Sequence, residues 1–126
     1  MAKTQHPIGP VYKAYSRKGQ TAVNFLLRRK QGEVPDAVFN RAVGWIDVVW
    51  GMPGTGASDG YGLSKIVKYH PEAVRHLDRI VKRLPAVSIS ENRIRLEDNQ
   101  YIASVRRSWN GEGKVWLLTA FKKKTR

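Results

Sequence analysis

The clearest pattern of apolar and polar positions in the chain runs from Tyr61 to Leu84. Apolar residues recur there at alternating steps of four and three, which is the spacing of one face of an α-helix. His70 falls on this apolar stripe, and Pro71, directly after it, cannot donate a helical hydrogen bond to Val67. The pattern therefore predicts a long central helix that either kinks at Pro71 or begins afresh there.

The remaining periodic segments predict one further helix and a set of strands. An N-terminal helix is expected at Thr21–Lys30, and strands are expected at Ala37–Arg41 and Trp45–Trp50. After the central helix, short turns separate four alternating segments, which predict an antiparallel meander: Ala86–Ser90, Arg93–Glu97, Tyr101–Arg107 and Val115–Lys122. The last is apolar on both sides, as a central strand is. Helices followed by a meander predict an α+β domain in which the long helix packs on an antiparallel sheet.

Two other segments predict loops rather than packed elements. Residues 1–19 are polar and interrupted by prolines and glycines, so we expect a flexible N-terminal arm with a short strand at Val11–Tyr15. Residues 20–126 then form a single domain. Gly51–Gly60 contains four glycines and is long for a connector, which favours a binding loop or a flap.

Charge narrows the classes of partner. The 126 residues include 23 Lys and Arg against 10 Asp and Glu, giving a net charge of +13 and a pI of about 10.4. The positive electrostatic field of such a chain favours binding of polyanions, above all nucleic acid. Binding to a membrane surface is the weaker alternative. No apolar run approaches the roughly 20 residues that cross a bilayer, and the N-terminus lacks a signal-peptide core. The absence of cysteine excludes disulfides and thiolate metal sites, and fits a reducing cytosol.

The titratable residues favour catalysis without a metal ion. The histidines are scattered and no cluster of histidine with carboxylates has metal-ligand spacing, so neither a metal nor another cofactor is expected. If the domain is an enzyme, the economical reaction is RNA cleavage by attack of the 2′-hydroxyl on its own phosphate. That reaction needs a base, an acid and cations. His70 is the candidate acid or base because histidine titrates near neutrality, and the alternative is a histidine buried in the core.

Other candidates have competing interpretations. Lys65 lies five positions before His70, about 140° round an ideal helix, so it must reach across or the helix must bend. Arg106 and Arg107 point to opposite faces of one strand. Thr119 interrupts an apolar strand, where a hydroxyl needs a partner. Trp109, like Trp116, either stacks on bases or packs in the core.

Several motifs together resemble phage-associated nuclease domains of the barnase–EndoU–colicin–RelE-like superfamily, which occur in phage head-morphogenesis proteins and bacterial polymorphic toxins. The similarity spans residues 20–123 and departs from the family pattern at Trp45 and Lys122, where acidic residues are expected. The motifs are GEVPDAV (Gly32–Val38), GWIDVVWG (Gly44–Gly51), YGLSKIVKYHPE (Tyr61–Glu72), NRIRLE (Asn92–Glu97) and KVWLLTAF (Lys114–Phe121).

The resemblance implies a metal-independent endoribonuclease acting as a toxin in a bacterial host cytosol, phage-encoded or delivered. It further implies an RNA substrate such as tRNA and an immunity or antitoxin protein as partner, with no membrane. The implied catalytic residues are His70, Lys65, Arg106 and Thr119. The basic and aromatic positions expected to bind RNA are Arg93, Arg95, Arg107, Trp109 and Lys122.

Two interpretations outside this enzyme class also fit the charge. A non-catalytic RNA- or ribosome-binding phage protein would use the same cations and aromatic residues. A DNA-packaging accessory is suggested only by the phage association. Fragments carrying 2′,3′-cyclic phosphate ends would distinguish the enzyme from both.

Overall fold

The structure, a computed structural model, describes residues 9–55 and 59–124. Within these residues it has four α-helices and six strands, so the predicted α+β class is confirmed. The helices are α1 (Gln20–Arg29), α2 (Leu63–Tyr69), α3 (Pro71–Val74) and α4 (Leu77–Arg83). The strands are β1 (Glu33–Asn40), β2 (Gly44–Val49), β3 (Ala86–Ile89), β4 (Arg93–Glu97), β5 (Tyr101–Trp109) and β6 (Glu112–Lys122).

All six strands form one sheet in the order β1-β2-β6-β5-β4-β3. The predicted antiparallel meander is confirmed for β3 to β6, and β6 lies in the middle of the sheet as expected. The sheet as a whole is mixed, however, because β2 runs parallel to β6 and pairs with it at Asp47 and Trp116. The antiparallel arrangement thus holds for β3 to β6 and for β1 with β2, and the contact of β2 with β6 was not predicted. The strands β2 and β6 are far apart in the chain. The alternation of apolar and polar residues within each strand does not indicate that they pair.

The start of α2 occupies the gap that opens where β2 leaves β6. The backbone N–H of Gly62 donates to the carbonyl of Leu118 on β6, and that of Ser64 donates to the carbonyl of Trp50 just after β2. Leu63 and Ile66 point from α2 into the core and are fully buried. These hydrogen bonds and buried side chains fix α2 beside the second half of β6, where the candidate site lies.

The central helix is interrupted twice. It ends at His70, whose backbone (φ −140°, ψ 56°) is not helical, and α3 begins with Pro71 at its first position. Of the two alternatives that the sequence allowed, the fresh start at Pro71 is observed and the kinked single helix is not. Proline fits this place because a first-turn residue has no helical partner for its N–H. A second break, between α3 and α4, was not predicted.

The segment before α1 packs against the domain. Val11 bridges to Glu33, while Lys13–Tyr15 form a 3₁₀ helix, so the predicted short strand is wrong. The rings of Tyr12 and Tyr15 both pack on Phe25 of α1. The backbone of Glu33 also exchanges hydrogen bonds with residues 10 and 12, and this pairing explains why β1 begins as early as Glu33.

One face of the β4-β5-β6 region packs under the helices and the other does not. Apolar residues that alternate along these strands are buried with residues of the helices in one core: Ile94, Leu96, Ala103, Val105, Leu117 and Ala120. Their neighbours in sequence point the opposite way, and we call the surface that they form the open face. Pairing places Arg93, Arg95, Ser104, Arg106, Trp116 and Thr119 on it.

Candidate active site

His70 lies at the junction of α2 and α3, beside the end of β6. Its backbone N–H closes α2 by donating to the carbonyl of Ile66, and its own carbonyl accepts from Ala73. The imidazole stacks on the ring of Phe121, with centroids 4.8 Å apart and planes inclined by 27°. The break in the helix therefore turns His70 off the apolar stripe and onto the ring of Phe121, near the end of the central strand β6.

A cleft of about 810 Å³ surrounds this histidine. Its lining includes four residues that the sequence suggested for the site, namely His70, Lys65, Thr119 and Lys122. Lys65 reaches the same cleft as His70 although an ideal helix would separate them, because α2 ends at Tyr69 and His70 leaves the helical path. The bend that the sequence required is present.

The local charges act on the imidazole in opposite directions. Burial lowers the pKa of His70 below its ordinary value of 6.5; Glu72 raises it, and Lys65 lowers it. The net direction is downward, so the neutral imidazole predominates near pH 7. A neutral imidazole can accept a proton, which is the state that a general base requires.

Two buried donors on the open face lack partners within the part of the chain that the structure describes. They are the hydroxyl oxygen of Thr119 and the Nε atom of Arg106. Thr119 pairs with Ser104 on β5, and Arg106 lies two residues further along that strand, about 7 Å at 3.3 Å per residue. Buried donors are normally hydrogen-bonded, so these two groups are available to an acceptor that approaches this face.

The residue opposite Arg106 on β4 also favours an anion at this place. Arg106 pairs directly with Arg93 across β4 and β5, and like charges placed opposite each other are destabilising. An anion bound over this part of the sheet would remove that repulsion and accept from both buried donors. We call Arg106, Thr119 and the surface between them the candidate anion site.

Comparison with known proteins identifies the family. Residues 37–126 match the family described as phage-Barnase-EndoU-ColicinE5/D-RelE like nuclease 1. The chain belongs to this nuclease family. No curated protein and no solved structure matches the chain significantly. The family assignment confirms the resemblance seen in the sequence.

The nuclease carries further cations along the open face. Arg93 and Arg95 are exposed on β4, and Arg95 bonds to Glu97 at 2.8 Å. Lys123 bonds to the other oxygen of Glu97. Hydrogen bonds from Lys123 and Arg95 lower the pKa of Glu97, which keeps this carboxylate charged and partly offsets the two cations.

Of the five predicted RNA-binding residues only Lys122 lines the cleft, and the predicted catalytic Arg106 does not line it either. Arg107 and Trp109 lie elsewhere. Arg107 points to the opposite side of the sheet from Arg106, where its guanidinium donates to the carbonyl of Ser90. Trp109 sits at the far end of β5 and packs edge-to-face on Tyr61 and Trp116. Trp116 is buried and its indole N–H donates to the carbonyl of Ser108, so it is a packing residue.

Sequence reasoning missed several residues of the cleft. Phe121 is two positions from Thr119 on one strand and therefore shares its face, a signal that could have found it. Glu72, Tyr69 and Lys124 also line the cleft, and the sequence offered no comparable sign for them. His6 lies outside the described residues.

The nuclease shows no donor set for a metal ion in its described part. No group of three or more histidine, cysteine, aspartate or glutamate side chains is close enough there to hold one. His76 is exposed and lines a different depression, beside Arg79 and Tyr101. Among the described helices none is long and apolar enough to cross a membrane.

Proposed function

We propose that this nuclease is a metal-independent endoribonuclease that cleaves RNA by 2′-hydroxyl attack, with His70 as the proton acceptor. The observation that carries the proposal is the pair of buried donors on Arg106 and Thr119, which lie on the sheet face beside the His70 cleft. Both groups are hydrogen-bond donors, as recognition of phosphate oxygens requires. Lys65, in the same cleft, adds a positive charge.

Each residue has a distinct role in the proposed reaction. Neutral His70 accepts the proton of the 2′-hydroxyl as that oxygen attacks the phosphorus. The bond from phosphorus to the 5′-oxygen breaks, and the leaving oxygen takes up a proton from water. Lys65 and Arg106 stabilise the extra negative charge of the crowded phosphate, and Thr119 orients it by donating a hydrogen bond. The products are a 2′,3′-cyclic phosphate and a 5′-hydroxyl.

The biological setting is part of the same proposal. The phage association in the family description supports action on bacterial RNA in the cytosol, with tRNA as one candidate substrate. A nuclease acting there would be toxic, so we infer that an immunity or antitoxin protein restrains it. The net charge of +13 favours an acidic surface on that inhibitor.

The decisive experiment digests total RNA with the purified protein in the presence of EDTA. We expect fragments with 2′,3′-cyclic phosphate ends, and a loss of about 10²–10⁴-fold in rate for His70→Ala. His76→Ala is the matched control, because His76 is exposed and outside the cleft. Undiminished cleavage by His70→Ala would remove His70 from the mechanism, and cleavage that stops with EDTA would contradict metal independence.

A second candidate is a non-catalytic RNA-binding protein, favoured by the exposed arginines Arg93 and Arg95 on the open face. It predicts that RNA migrates more slowly with the protein in a gel while no fragments form. Retardation of double-stranded DNA in place of RNA would favour the packaging accessory.

A further inference from the structure

A second depression lies beside Trp109, at the end of β5. It encloses about 270 Å³ and is lined by the aromatic rings of Trp50, Tyr61 and Trp109, with Lys30 and Gln31 on its rim. The proposed reaction uses none of these five residues. The volume suits one planar heterocycle and is far too small for a helix of nucleic acid.

The shape of this pocket is fixed by close backbone packing. Gly32 and Gly51 both line it and both have positive φ angles, 83° and 70°. A Cβ atom on Gly32 would lie 2.2 Å from the carbonyl oxygen of Pro10, and one on Gly51 would lie 2.2 Å from that of Tyr61. Only glycine permits these approaches, so the pocket exists before any ligand arrives.

The aromatic wall is fixed as well. The Trp109 ring meets Tyr61 at 5.6 Å and Trp116 at 4.9 Å, with interplanar angles of 73° and 72°. Buried Trp116 anchors the group through its hydrogen bond to Ser108. Trp109 remains half-buried, so part of an oriented indole ring is left to face the pocket. Rings held in this way bind a base by stacking without losing much conformational entropy.

The pocket is within reach of a strand whose phosphate occupies the candidate anion site. Trp116 pairs with Arg106, and Thr119 follows Trp116 by three residues on β6, about 10 Å at 3.3 Å per residue. One extended single strand could therefore bind a phosphate at Arg106 and Thr119 and place a nearby base against Trp109.

We propose that the pocket formed by Trp50, Tyr61 and Trp109 binds one nucleobase of the substrate and gives the nuclease a base preference. This inference rests on the proposed function, since it takes single-stranded RNA as the ligand. Stacking on Trp109 supplies affinity for any base. The amide of Gln31 and the ammonium group of Lys30, at the rim, discriminate among bases by hydrogen bonding to their edges.

The test measures binding of short 2′-O-methyl oligonucleotides, which lack the attacking hydroxyl, to the wild-type protein. Oligomers of A, C, G and U are compared with an abasic oligomer of equal charge, so that electrostatic attraction cancels. We expect the base-containing oligomers to bind more tightly, and Trp109→Ala to weaken them by about 5- to 150-fold. Trp45→Ala is the matched control, because Trp45 lies on another surface with Asp36 and Arg107.

Two results would overturn the inference, whether or not the protein cleaves RNA. One is equal affinity for abasic and base-containing oligomers, and the other is unchanged base affinity in folded Trp109→Ala. If Trp109→Ala does not fold, exposed Gln31→Leu decides: discrimination among the four bases should fall, and unchanged discrimination contradicts the proposal. Failure of RNA cleavage, by contrast, is scored in the digestion experiment and leaves this binding measurement intact.

Discussion

The protonation of His70 depends on two charged neighbours that act in opposite directions. Burial is the largest influence and lowers its pKa, while Glu72 raises it and Lys65 lowers it. Since the folded pKa is below 6.5, the unfolded chain binds more protons in the interval between the two values. The corresponding stability is therefore present above about pH 6.5 and is lost as the pH falls toward the folded pKa.

Replacing Glu72 or Lys65 by a neutral residue should shift the pKa of His70, and the two replacements should shift it in opposite directions. Glu72→Gln removes a group that favours the imidazolium and should lower the pKa, whereas Lys65→Met should raise it. Titration of the His70 ring protons by NMR in the free protein measures both shifts relative to the wild type. Shifts of one sign in both variants would contradict the arrangement of charges around His70.

A different residue-scale feature stabilises the junction of β1, β2 and β6. The ammonium group of Lys114 lies 2.6 Å from Glu33 and 2.5 Å from Asp47, and all three side chains are largely buried. Burial would lower the pKa of Lys114, but hydrogen bonds to Asp47 and Glu33 raise it above its usual value. Asp47 also accepts a hydrogen bond from the backbone of Asp36, in the bulge of β1. The triad thus ties three strands together.

Removing the central cation of this triad should destabilise the fold strongly. Lys114→Met leaves two buried carboxylates without a counter-ion, and we expect a loss of about 3–5 kcal/mol in the free energy of unfolding. Urea denaturation measures it. Lys123→Met, which breaks the more accessible pair with Glu97, is the control and should change the free energy of unfolding much less. Equal losses in the two variants would mean that burial of the triad contributes nothing.

At the scale of elements, the sequence predicted those segments whose own pattern determines their structure. The meander followed from alternation and short turns, and the break at His70 followed from the chemistry of Pro71. The start of β1 was missed because a proline usually interrupts a strand. Pro35 is tolerated here because it lies beside a bulge in which Asp36 adopts a φ of 50°. The contact of β2 with β6 depends on long-range packing, which no local pattern encodes.

The sequence named part of the candidate site, and the rest depends on how the folded chain brings segments together. Lys65, His70, Thr119 and Lys122 share a cleft, and each was named from the sequence. The positions of Arg107 and Trp109 depend on the irregular pairing between Arg106 and Ser108, which offsets the end of β5. The pocket beside Trp109 joins segments near residues 10, 31, 50 and 61, so only the folded chain reveals it.

The break between α2 and α3 is itself a testable element. Proline disfavours helical backbone at the residue before it, which keeps His70 out of the helix. Pro71→Ala lifts that restriction, and α2 can continue through His70 and carry the imidazole away from Phe121. We expect up to about a 100-fold loss of RNA cleavage with an intact thermal transition, since small misplacements of a catalytic group are costly. Exposed Arg75→Ala is the control, and full activity in Pro71→Ala would show that the proline is dispensable.

At the scale of the whole molecule, the positive charge should act mainly through the open face. Binding of single-stranded RNA weakens with salt, and the logarithmic slope falls by about 0.7 for each phosphate contact that is lost. Arg93→Gln and Arg95→Gln should each reduce the slope by about that amount, because both side chains are exposed beside the candidate anion site. Lys82→Gln removes the same charge from α4, on the helical side, and should leave the slope nearly unchanged. Affinities measured across a series of salt concentrations give these slopes. If RNA is attracted only by the net charge and not by a defined surface, the slope should change equally in all three variants.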